Sequence, residues 1–116
     1  METSTTDSNE AYKYWAMTPV PAEVTVNHGQ YWQSAHFTRE YITYLDLTTT
    51  AEWSQEYIRQ NGLVPNNGVP NRILPPDSPR WFSPDSSFSA YSRLGVSGVY
   101  YLQTRTGRML IYEEQF

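Results

Sequence analysis

The run Val99-Tyr100-Tyr101-Leu102-Gln103-Thr104-Arg105-Thr106-Gly107-Arg108-Met109-Leu110-Ile111-Tyr112-Glu113 decides the fold. Tyr100 and Leu102 alternate against Tyr101 and Gln103, and Met109 and Ile111 oppose Leu110 and Tyr112. Alternation of this kind, in β-branched and aromatic residues, belongs to strands. Arg105-Thr106-Gly107 is turn chemistry, with Gly107 able to take a positive φ. The stretch therefore reads as a β-hairpin of Val99–Thr104 and Arg108–Glu113. Glu113-Glu114 reads as a charge pair that guards a sheet edge by repulsion.

Upstream segments extend the sheet. Glu40–Leu47 sorts into Tyr41, Thr43, Leu45 and Leu47 on one face and Ile42, Tyr44 and Asp46 on the other. Glu23–Asn27, with Val24 and Val26 on one face, and Gln30–Phe37 read as a second hairpin turned at His28-Gly29.

Helix signals stand between and before these strands. Thr49 with Glu52 three residues on forms a capping box. Trp53, Tyr57 and Ile58 share one helical face. Asn61-Gly62 stops the helix, with Gly62 suited to the left-handed position after the cap and Leu63 placed to touch Ile58. The main helix is expected over about 50–61. Asp7 or Ser8 caps a possible short helix over about 9–17, with Tyr14 and Trp15 as its buried side, ended by Thr18-Pro19 and Pro21. Residues 1–8 read as a disordered tail.

Residues 62–96 hold Pro65, Pro70, Pro75, Pro76, Pro79 and Pro84, six of the chain's eight prolines. So long a segment without regular structure is uncommon inside a domain. Ile73, Leu74, Trp81, Phe82, Phe88, Tyr91 and Leu94 punctuate it, which argues against a free linker. It reads as an extended loop pinned across the surface, partly covering the second face of the sheet. The expected class is α+β: an antiparallel sheet of about five strands, one main helix, a possible short N-terminal helix and a long Pro-rich loop, in one domain over 1–116.

The 116 residues are 39% hydrophobic and 16% aromatic, so the core is built from large rings. With no Cys, disulfides, thiolate catalysis and Cys-ligated metals are excluded. The net charge is −4, and Arg39, Arg59, Arg72, Arg80, Arg93, Arg105 and Arg108 are scattered. Binding to nucleic acid, which needs clustered cations, is not expected, nor is insertion into a membrane. Met1–Glu10 is polar and acidic, unlike a secretory signal. Either none is made or one has been removed, and the reading leans cytoplasmic.

Catalytic signatures are missing. His28 and His36 match no metal-ligand spacing, and no metal or other cofactor is expected. His28 is assigned to the turn and His36 to a solvent-facing strand position. Gly95-Val96-Ser97-Gly98 falls one residue short of a nucleophile elbow. Asp46, in an apolar strand, is the acid to examine, and a paired or edge-exposed carboxylate is the preferred account of it. Arg80-Trp81-Phe82 stands out in the loop, with Tyr91 further on, because Trp, Tyr and Arg concentrate binding energy at interfaces. The reading leans to a small, acidic, non-enzymatic protein that binds another protein, as an inhibitor or immunity-type partner does. A basic partner fits the charge. The alternatives are a small-ligand or glycan-binding module, which requires a concave aromatic pocket, and an enzyme with an unrecognised carboxylate or His site.

Overall fold

The computed structural model describes residues 2–35, 40–66 and 75–116. Seven strands form one sheet: β1 (Thr3–Thr5), β2 (Val24–Gln33), β3 (Tyr41–Thr49), β4 (Val64–Pro65), β5 (Ser89–Ser92), β6 (Ser97–Gln103) and β7 (Arg108–Gln115). Their spatial order is β1-β2-β3-β7-β6-β5-β4, and every neighbouring pair is antiparallel. Two helices, α1 (Ser8–Ala16) and α2 (Ala51–Gln60), complete the described elements. The class is α+β, with seven strands where about five were expected.

The two extra strands lie where the sequence carries least pattern. Thr3–Thr5 pairs with Tyr31–Gln33, so the segment read as a disordered tail is an edge strand held by backbone bonds. Val64–Pro65 pairs with Tyr91–Ser92 at the opposite edge. Proline fits there, because an edge strand does not need every N–H.

A second difference concerns His28-Gly29. The expected hairpin turn is instead the interior of one long strand, β2, which pairs with β3 throughout and carries a bulge between Val26 and His28. The glycine serves close packing rather than a turn. A Cβ on Gly29 would come within 2.8 Å of the Ala11 Cβ and 3.0 Å of the Ser8 carbonyl oxygen. The first turns of α1 rest directly on the β2 backbone at this point.

Helix ends follow local chemistry. Asp7 caps α1 and accepts the Glu10 N–H at 2.9 Å. The cap of α2 is Thr50, whose hydroxyl accepts the Trp53 N–H at 3.1 Å, one residue later than the expected Thr49. Thr49 is held back by the sheet, its N–H donating to the Gly107 carbonyl at 2.9 Å. At the far end Leu63 N–H donates to Ile58 and Gly62 N–H to Arg59, the paired bonds of a Schellman motif. Gly62 has φ 62°, and Leu63 is buried in the core cluster against which Ile58 packs.

Alternation sends each strand's side chains into two cores. Leu45, Leu47, Tyr100, Leu102, Met109 and Ile111 meet Ala11 and Tyr12 of α1 and Trp53, Tyr57 and Ile58 of α2. The buried side of α1 is thus Ala11 and Tyr12, with Trp15 half-buried; Tyr14, expected to be buried, is 43% exposed. On the other face Tyr44, Val99, Tyr101, Leu110 and Tyr112 meet Phe82, Trp81 and Phe88. The result is three layers: helices, sheet, and the Pro-rich segment. β7 lies inside the sheet between β3 and β6, so Glu113-Glu114 guards no edge.

Candidate functional site

On the helix face, where β2, β3 and β7 end together, Gln33, Tyr41 and Gln115 lie side by side in register. The last turn of α1 stands over them and presents Lys13, Tyr14, Trp15 and Met17. Between lies an open groove of about 790 Å³, also lined by Tyr31. Its size falls within the range of small-molecule sites. Tyr14 stacks on Tyr31 with centroids 5.3 Å apart, and Tyr31 stacks on Tyr41 at 6.2 Å, so three rings lie nearly parallel.

Behind this lining is Glu113, 5% exposed. One carboxylate oxygen accepts the Trp15 indole N–H at 2.9 Å and the Tyr41 hydroxyl at 3.1 Å. The other accepts the Tyr100 hydroxyl. A buried carboxylate is tolerated when its lone pairs are satisfied in this way. Burial, reinforced by the neighbouring carboxylate, pushes the Tyr41 hydroxyl up to about 12 and the Tyr100 hydroxyl further up. These phenols stay neutral and act as donors. Glu113 therefore orders two rings of the groove, and its oxygens are engaged inward rather than offered to a proton in the groove. The Tyr31 hydroxyl donates to the Gln33 carbonyl oxygen at 3.2 Å, which leaves the Gln33 amide NH₂ as a donor.

On the opposite face Asp46, its side chain 3% exposed, is paired. Arg108 reaches it at 2.8 and 3.4 Å, His28 Nδ1 stands at 3.1 Å, and the Asn27 amide donates at 3.3 Å. The His28 ring stacks on Trp81, with centroids 5.1 Å apart, so this cluster fastens the Pro-rich segment to the sheet. His36 lies outside the described residues. Among the described residues no three His, Asp or Glu side chains converge as metal ligands, and no helix is long and apolar enough to cross a membrane.

The residues singled out in the loop point in different directions. Arg80 is exposed, Trp81 is half-buried against His28, and Phe82 is 2% exposed in the second core. Tyr91, on β5, packs against the helix-face core instead. Sequence reasoning missed the groove. One signal was present: the stripe Ala11, Tyr12, Trp15 and Ala16 follows helical spacing and leaves Tyr14 off it. Compared with protein-family models, curated proteins and solved structures, the chain matches none.

Proposed function

We propose that the protein is a non-enzymatic binding module and that its ligand, a small ring-bearing molecule, occupies the groove beneath α1. The observation that carries this reading is the stack of Tyr14, Tyr31 and Tyr41, with Tyr41 and Trp15 fixed from behind by Glu113. Rings locked before binding lose little entropy when a ligand arrives, which raises affinity without any new contact. Aromatic faces with a few placed polar groups are the usual lining of a ligand site. The protein-partner reading attached to Arg80 and Trp81 has a weaker basis, because Phe82 and Tyr91 are turned into separate cores.

Amide and indole NMR shifts separate the two. Titration with a panel of aromatic and sugar compounds is expected to move the Trp15 indole and the amides of Tyr14, Tyr31 and Tyr41. Tyr14→Ala is expected to weaken binding by about tenfold in a folded protein. If nothing in the panel moves them, while a basic protein shifts Arg80 and Trp81, the function is protein binding through the loop.

A further inference from the structure

The groove's polar groups narrow the ligand, on the reading that it is a ligand site. Lys13 is the chain's single lysine and, among the described residues, the only charged one lining the groove, in a protein of net charge −4. A second polar group of the lining is the Gln33 side chain, whose carbonyl oxygen accepts from the Tyr31 hydroxyl and whose NH₂ is a donor. Tyr41 spends its proton on Glu113, and both carboxylate oxygens of Glu113 are occupied by Trp15, Tyr41 and Tyr100. The lining thus offers a cation and an amide donor beside flat apolar rings. Tyr14 is the end ring of the stack and is 43% exposed, so a further ring can be added to it. Met17, 89% exposed, stands one helical turn from Lys13 and three residues from Tyr14, and supplies a soft apolar lip.

We infer that the groove takes a ring-bearing carboxylate, its ring stacked on Tyr14 and its carboxylate held by Lys13 and the Gln33 amide. An aryl acid and a sugar acid share this chemistry: one flat apolar face and one anionic group with acceptors. Charge-assisted bonds are shorter and stronger than neutral ones, so the carboxylate is the part that the site reads most sharply.

Two matched pairs test this: benzoate against benzamide, and glucuronate against methyl glucoside. Each is titrated by NMR into the full chain and into Lys13→Met, a substitution that keeps helix propensity. One acid is expected to bind about tenfold tighter than its neutral counterpart. That advantage is expected to shrink as salt rises and to vanish in Lys13→Met, which still binds the neutral compound. Preference for benzoate or for glucuronate names the source. Equal binding within each pair, or an advantage that survives Lys13→Met, overturns the inference and leaves the groove as a site for neutral rings. If no compound moves Tyr14, Tyr31 or Tyr41 up to about 5 mM, near the weak end of specific binding, the inference and the proposed function both fail.

Discussion

Met17 takes φ 57° and ψ 31°, the one non-glycine residue with positive φ among the described residues. Glycine holds the position that ends a helix this way at less steric cost. Here a methionine holds it, with its side chain in solvent at the lip of the groove. A non-glycine residue in this conformation carries backbone strain. Met17→Gly is therefore expected to raise stability by about 1 kcal/mol, the order of the left-handed penalty. It should also weaken binding of any groove ligand. Urea unfolding and titration of one variant measure both, and a loss of stability would contradict the strain argument. Some residues were legible from sequence and others were not. Asp46 was read as paired or edge-exposed, and it is ion-paired on an interior strand. Thr48, Thr49 and Thr50 are chemically equal caps, so only the register of β3 selects Thr50. Tyr14 and Trp15 are adjacent on a helix of nine residues, and only the stripe of Ala11, Tyr12, Trp15 and Ala16 sets Tyr14 apart from the packed side.

The meeting of α1 with β2 rests on one missing side chain, that of Gly29. A methyl group there overlaps Ala11 and the Ser8 carbonyl, and the backbone at Ser8 has little room to give. Gly29→Ala is expected to cost about 2 kcal/mol through overpacking and to lift α1 away from the sheet. Amide exchange should rise across Ser8–Ala16 while Ala51–Gln60 keeps its protection; uniform protection in both helices would show that the contact is not needed. The same glycine explains why β2 was misread. A His-Gly pair between two apolar runs has the composition of a turn, and Ala11, whose methyl makes the glycine necessary, lies in a separate element far back in the sequence. The closing hairpin and α2 were legible because their signals are local. The two edge strands were not: Thr3–Thr5 and Val64–Pro65 owe their form to a neighbouring strand, and neither carries an apolar alternation of its own.

Across the whole molecule, buried phenols set an alkaline limit. Burial pushes the Tyr41 and Tyr44 hydroxyls up to about 12, and raises those of Tyr57, Tyr100 and Tyr112 as well. In the unfolded chain these groups ionise near the ordinary phenol value of about 10. Folded values above unfolded ones mean that the contribution is fully present below about pH 10 and is lost as pH rises toward the folded values. Denaturation measured at stepped pH is expected to show a steep fall in stability from about pH 10 to 12. Phenolate absorbance should then rise together with unfolding. Stability that stays level across this window would mean that the rings are not closed to solvent. The expectation that the loop partly covers a second face was legible from Trp81, Phe82 and Phe88 punctuating a Pro-rich stretch, and these three pack on that face. The groove was not legible, because it forms only where the ends of β2, β3 and β7 meet the last turn of α1.

The position of β7 between β3 and β6 bears on how the protein is made. It is the last of the seven described strands to leave the ribosome, yet it joins the two halves of the sheet. Until it emerges, β3 and β6 each lack the strand that lies between them, and their unpaired N–H and C=O groups are open to pairing with a neighbouring chain. Synthesis interrupted before Arg108 yields not a smaller sheet but two unfinished ones, exposed to aggregation.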